Sequence, residues 1–241
     1  MRADQRLVEL GLVQSRARAQ AEIRAGSVML GGKPIRRASD EIAPDALLEL
    51  RAAANPYVSR GALKLAAALD HFPISPSGST ALDIGASTGG FTQVLLERGA
   101  ARVYAIDVGH AQLHETLRAD PRVIAREGVN ARELDRSIVP ELVDVIVADV
   151  SFISLKLALP AALALAAPTA MLVALIKPQF EGGKRATKKG VVRDEEVQSR
   201  VCAELAVWIE GHGWQVLGLT PSPIQGGDGN REFLIAAKRH G

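Results

Sequence analysis

The sequence predicts an α/β fold, an open and mainly parallel seven-stranded sheet between helices, preceded by a small α+β module. From residue 80 onward, apolar runs of strand length alternate with helical patterns, at 80–84, 102–107, 122–126, 143–148 and 170–176. Such βα alternation builds a parallel sheet covered on both faces. Two further strands, over 214–220 and 231–237, follow a helix over 194–211. The first 51 residues read as short helices and strands, and a connector over 52–59 containing Asn55-Pro56-Tyr57 separates them from a large domain over 60–241.

Within the small module, Leu7, Leu10 and Leu12 suggest a first helix with an apolar face. Ser15 is placed to cap a second helix over 16–25, in which Ala19 and Ile23 recur at helical spacing and after which Gly26 stops the turn. Val28-Met29-Leu30, the Gly31-Gly32 turn and Pro34-Ile35 then form a small hairpin. In the large domain a helix over 59–70 precedes the first strand. Residues 159–176 are nearly all apolar, but Pro160 and Pro168-Thr169 interrupt them, so they read as a helix end, a turn and the buried strand 170–176 rather than a membrane span.

With 241 residues and 47% hydrophobic content, the chain can bury a sizeable core. Net charge is only +2, so affinity for nucleic acid has to come from clustering. Residues 1–39 carry eight Lys/Arg against three acids, and residues 177–193 carry six against one, +5 in each case. The single Cys202 reads as core filler in a reducing compartment, the start of the chain lacks an apolar signal core, and no metal-ligand spacing occurs, all of which suits a cytoplasmic protein.

The most informative stretch is Asp83-Ile84-Gly85-Ala86-Ser87-Thr88-Gly89-Gly90-Phe91, a strand running through a glycine-rich turn into a helix. Such a turn lets backbone approach a nucleotide-like ligand closely. It lacks both the Gly-Lys-Ser/Thr of a phosphate-binding loop and the G-x-G-x-x-G spacing of dinucleotide sites. Asp83 would repel a pyrophosphate but could hold the cationic methionine portion of S-adenosylmethionine, directly or through water. Asp107, at the end of the next strand, can accept both ribose hydroxyls. The turn therefore implies a methyl-donor site.

Ligands of open parallel sheets bind beyond the carboxyl ends of the strands. Asp83, Asp107, Asp149 and Lys177 fall at such ends, whereas Asp144 opens its strand and is excluded. An antiparallel final strand would bring Glu232 to the same rim, and the helix over 59–70 would supply Lys64. Two lysines and two carboxylates suit methylation of a ribose 2′-hydroxyl, a poor nucleophile until its proton is removed. Lys177 is expected to be the base. Lys64 would disfavour a second positive charge beside it and position the ribose, while Asp149 and Glu232 orient the ammonium groups.

Two resemblances extend this reading. Ser15-Arg16, Ala19, Ile23, Gly26, Val28 and the Gly31-Gly32-Lys33 turn resemble the S-four (alpha-L) RNA-binding module, which implies RNA contacts from Arg16, Arg18, Arg24, Lys33, Arg36 and Arg37. The family commonly has Asn where Gly31 stands. Ser59-Arg60-Gly61-Ala62-Leu63-Lys64-Leu65, the stretch from Asp83 to Thr92, Asp149-Val150-Ser151-Phe152-Ile153-Ser154, Lys177-Pro178-Gln179-Phe180-Glu181, Gly190-Val191-Val192-Arg193-Asp194 and Pro221-Ser222-Pro223-Ile224 together resemble the TlyA family. That family joins the alpha-L module to an FtsJ-like domain.

The TlyA resemblance implies a Rossmann-like class I methyltransferase sheet with an antiparallel last strand, S-adenosylmethionine as cofactor, and 2′-O-methylation of cytidine in ribosomal RNA. It places a catalytic tetrad on Lys64, Asp149, Lys177 and Glu232, and cofactor contacts on Asp83, Gly85, Ala86, Ser87, Thr88, Gly89, Gly90, Phe91, Asp107, Val108, Asn130 and Asp149. Some members carry a tryptophan in the connector where this chain has Tyr57-Val58, so the switching role of that motif is not transferred. Two rival readings are a non-catalytic RNA-binding or ribosome-assembly factor, against which the intact tetrad argues, and a membrane-active haemolysin.

Overall fold

The computed structural model describes residues 1–13, 15–44, 46–50, 57–182, 191–226 and 229–239, with only the backbone of 21, 24 and 25. The chain divides into two compact units, Met1–Pro56 and Tyr57–Gly241. The expected connector falls partly outside the described residues, and its last part belongs to the second unit, where the Val58 amide donates to Gln93 Oε1 at 2.8 Å.

The first unit packs α1 (Ala3–Glu9) and α2 (Arg16–Ala25) on a three-stranded sheet of β1 (Val28–Leu30), β2 (Lys33–Pro34) and β3 (Leu48–Leu50), in the order β2-β1-β3. Ser15 Oγ accepts from the Arg18 amide at 3.2 Å, and Gly26 ends α2 at φ 74°. Leu7, Ala19, Ile23, Val28 and Leu48 form its core. Leu10 is 41% exposed, because α1 ends at Glu9. The third strand, β3, pairs with β1 across a long connection and carries no local turn signal.

One buried polar group organises this unit. Asp4 is fully buried at the start of α1 and accepts from Arg2 Nε at 3.0 Å, Arg16 Nη2 at 3.1 Å and Gln20 Nε2 at 3.0 Å. Its hydrogen bonds from Arg2, and then those from Gln20 and Arg16, hold the carboxyl far below the usual carboxylate range.

The second unit begins with α3 (Gly61–His71), β4 (Thr80–Ile84), α4 (Gly90–Glu97), β5 (Arg102–Asp107), α5 (Glu115–Arg118) and β6 (Val123–Glu127). It continues with β7 (Val143–Ala148), α6 (Leu155–Ala164), β8 (Ala166–Ile176), α7 (Pro178–Glu181), α8 (Glu195–Glu210), β9 (Trp214–Pro221) and β10 (Phe233–Arg239). The sheet order is β6-β5-β4-β7-β8-β10-β9. Neighbours from β6 to β8 pair in parallel, and β10 runs antiparallel to both β8 and β9, as expected.

The buried strands alternate between two cores. Leu82, Ile84, Tyr104, Ile146 and Leu172 pack with α6 and α8, while Ala81, Val103, Val145, Val147 and Val173 pack with α3 and α4. Two expected breaks are absorbed. Helix α6 runs through Pro160, whose neighbours Leu159, Ala162 and Leu163 are anchored in the core. Strand β8 begins at Ala166, four residues earlier than expected, because the pairing with β7 shifts register between Val143 and Val145 and leaves Pro168 and Thr169 exposed. Among the described residues, no helix is long and apolar enough to cross a membrane.

A carboxylate with a lowered folded pKa contributes stability above its unfolded value of about 3.9, and that contribution fades as pH falls. Exchange of the Leu7 and Ile23 amides, corrected for intrinsic rate, is therefore expected to speed up between pH 5 and pH 3. In Asp4→Asn it is expected to be fast already at pH 5.

Candidate active site

The chain moves outward from β4 through β5 to β6 and then returns to lay β7 on the other side of β4. The carboxyl ends of β4 and β7 thus bound the switch point where open α/β sheets bind ligands. The Asp149 amide extends the ladder past β7 by donating to Ile84 O at 2.9 Å. At Gly85, φ is 82° and an added Cβ would stand 2.5 Å from Asp149 O. Only glycine lets the turn leave β4 this close to its neighbour.

Amides of Gly85 and Ala86 donate to Ile106 O at 2.9 and 3.0 Å, pinning the turn to the end of β5. Asp107 completes the anchor, its Oδ2 accepting from the Ser87 amide at 2.8 Å and its Oδ1 from the Gly109 amide at 2.7 Å. Beyond the turn, α4 packs so tightly on the start of α3 that a Cβ on Gly90 would collide with Ser59 Oγ.

Two adjoining cavities open along this rim. One, of about 480 Å³, is lined by Gly85, Ser87, Asp107, Val108, Asn130, Asp149 and Phe152 among others. The other, of about 300 Å³, is lined by Lys64, Gly85, Ala86, Ser87, Thr88, Gly90, Phe91, Asp149 and Lys177 together with Arg60 and Gln225. Gly85, Ser87, Asp149 and Ser151 border both. Asn130 reaches the first cavity while its Oδ1 accepts from the Arg132 amide at 3.1 Å, so it also caps a turn.

The charged groups pair off across elements far apart in sequence. Helix α3 buries Lys64, whose Nζ donates to Glu232 Oε2 at 2.5 Å just ahead of β10. Lys177 Nζ, at the end of β8, donates to Ser151 Oγ at 2.8 Å and lies 2.6 Å from Asp149 Oδ1. Lys64, Lys177 and Glu232 are all more than nine-tenths buried. Buried charges cost desolvation and are weak evidence for stability, so a cluster of them in a cleft is a candidate site.

Asp83, Gly89 and Glu232 do not line either cavity. Glu232 reaches the site through Lys64. Asp83 lies fully buried on the α4 side of β4, its Oδ2 accepting from Thr92 Oγ1 at 2.6 Å and its Oδ1 without a partner among the described residues. Burial pushes its pKa up to about 7, the Thr92 hydrogen bond working against that and the Asp149 charge adding to it.

Sequence reasoning assigned no role to Ser151, Arg60 or Phe152. Phe152 is 91% exposed at φ 65° and its ring lies 5.1 Å from that of Phe180. The segments after β7 and β8 are further tied by Glu181, which accepts from Ser154 Oγ at 2.5 Å and from the Leu155 amide at 2.7 Å. Nothing in residue type or spacing announces these cross-links, although all lie in stretches that carried the family resemblance.

The close backbone at Gly85 and the acceptor Asp107, both bordering the larger cavity, fit a ligand with a ribose. Gly85→Ala is expected to weaken S-adenosylmethionine binding about tenfold or more by calorimetry, because the new methyl group forces β4 and β7 apart at their ends and sits at a strained φ.

Comparison with known proteins agrees with this architecture. Residues 57–239 match the FtsJ-like methyltransferase family and residues 1–48 match the S4 domain. The 16S/23S rRNA (cytidine-2′-O)-methyltransferase TlyA of Mycobacterium tuberculosis is 44% identical over 236 residues, covering 97% of this chain and 88% of that relative. Hemolysin A of Brachyspira hyodysenteriae is 39% identical, covering 97% of this chain and 98% of that protein. A solved hemolysin-named structure from Streptococcus thermophilus superposes with a TM-score of 0.79 at 39% identity, covering all of this chain and 88% of that one. The same fold, turn and domain order, matched over nearly the full length, place this chain in the TlyA family of FtsJ-like methyltransferases.

Proposed function

We propose that this chain methylates the 2′-hydroxyl of cytidine ribose in ribosomal RNA in the cytoplasm, with residues 1–51 acting as the RNA-binding module and 60–241 as the catalytic domain. The observation that carries the reading is Lys177, buried at the sheet rim against Asp149 and Ser151 in a cavity continuous with the glycine turn. Full-length similarity to an enzyme named for cytidine-2′-O-methylation supports the substrate.

S-adenosylmethionine, when bound, supplies a methyl group on a sulfonium, which leaves as a neutral thioether as the new oxygen–carbon bond forms. The glycine turn, Asp107, Val108 and Asn130 would hold it, in a cavity adjoining the one that Lys177 lines. Lys177 Nζ takes the proton of the ribose hydroxyl and becomes the ammonium, held by Asp149. Lys64, fixed by Glu232, stabilises the negative charge that develops on the ribose oxygen. Each lysine thus has its own carboxylate, a division of labour that suits one base and one electrostatic stabiliser.

In the module, Arg16 is engaged by Asp4 and Arg18 by Glu22 at 2.6 Å, whereas Lys33, Arg36 and Arg37 are exposed without an ion pair among the described residues. The Arg24 side chain and the basic residues Lys184, Arg185, Lys188 and Lys189 lie outside the description. The hairpin cations are therefore the stronger candidates for phosphate contacts.

Lys177→Ala is expected to bind S-adenosylmethionine within about threefold of wild type while losing at least about a hundredfold in transfer of labelled methyl to ribosomal RNA. Substantial residual turnover would defeat the base assignment, and absence of transfer by the unaltered protein to any ribosomal RNA, subunit or ribosome would defeat the function. Replacing Lys33, Arg36 and Arg37 one at a time should weaken RNA binding and lower its salt slope by about one each, leaving cofactor affinity alone. An unchanged slope would move the interface elsewhere.

A further inference from the structure

We infer that Ser151 is a positioning residue that aims the lone pair of Lys177 at the ribose hydroxyl, an inference that rests on Lys177 being the base. Ser151 borders both cavities, is itself exposed to them, and its Oγ accepts from Lys177 Nζ at 2.8 Å.

The argument is stereochemical. A neutral lysine nitrogen is tetrahedral, with one bond to carbon, two N–H bonds and one lone pair. Asp149 Oδ1 lies 2.6 Å away but outside hydrogen-bond geometry, and its negative charge keeps the lone pair turned from it. With that contact alone the amine can turn about its last bond and place the lone pair at either of two remaining corners. Ser151 Oγ, as hydrogen-bond acceptor, draws one N–H and leaves one corner for the lone pair, in a cavity that Lys64 also lines. Asp149 and Ser151 stand two residues apart just beyond β7, and the Lys177 backbone is fixed by the end of β8, so three groups on two adjacent strand ends define the direction.

The proton balance is complete. The ribose oxygen gives its proton to the Lys177 lone pair and forms its bond to the methyl carbon, while the carbon–sulfur bond breaks with its electron pair going to sulfur. Lysine ends as the ammonium with three N–H groups, one of them already directed to Ser151 and its charge balanced by Asp149. Release of one proton to solvent restores the amine with its lone pair facing the same way.

The test uses the full chain with ribosomal RNA and S-adenosylmethionine, comparing Ser151→Ala, Ser151→Thr and Lys177→Ala by single-turnover methyl transfer, cofactor calorimetry and thermal unfolding. Ser151→Ala is expected to slow single turnover by up to about tenfold, the scale of one hydrogen bond. Its cofactor affinity and Tm should stay at wild-type values, and Ser151→Thr, which keeps the hydroxyl, should restore the rate. A wild-type rate in Ser151→Ala beside an inactive Lys177→Ala overturns the positioning role and leaves the base in place. A loss of cofactor affinity without a slower single turnover, or failure of threonine to rescue, overturns it equally. Wild-type turnover in Lys177→Ala removes the base itself, and the inference with it.

Discussion

The direction of four neighbouring strands is the constraint on which this protein depends. β5, β4, β7 and β8 all run the same way, so every residue that leaves their carboxyl ends arrives on a single rim. Hydrogen-bonded ladders between buried strands cannot slip by one residue without sending each side chain into the opposite core. The separation of Gly85, Asp107, Asp149 and Lys177 is therefore set by the two hydrophobic cores beneath them. The tightest consequence is at the switch point, where the Gly85 turn leaves β4 against the Asp149 carbonyl.

On that rim the electrostatics are arranged by pairing. Two buried lysines would be intolerable together without counter-charges, and each meets a carboxylate drawn from a different element. Lys64 needs α3 and the start of β10 to be brought together, whereas Lys177 needs only the adjacent ends of β7 and β8. Cross-links through Ser151, the Phe152–Phe180 ring contact and Glu181 stiffen those two ends into one unit. A side chain held this way loses little orientation entropy when a ligand arrives. The N-terminal module uses the same device in another setting, with Asp4 buried beneath Arg2 and Arg16.

Most of the sheet was legible because short, nearly continuous apolar runs are interrupted by strong turn residues. Ser15, Gly26 and the Gly31-Gly32 turn announced their local structure for the same reason, since each acts within a few residues. The errors fell where distant packing overrode a local signal. Pro160 stayed inside α6 because Leu159, Ala162 and Leu163 beside it anchor the helix in the core, and β8 started early because a register shift accommodates Pro168. β3 was missed since its partner, β1, lies far back in the chain.

By itself, the sequence determined which residues stand at the carboxyl ends of strands, the glycine turn and the family resemblance, because these are written in residue type at short and regular spacing. The tertiary structure alone decided which carboxylate meets which lysine, that Asp83 sits beneath the cavity rather than on its wall, and that Ser151 shares Lys177 with Asp149. Those facts depend on distances between elements joined only through the packed core, where neither spacing nor composition carries information.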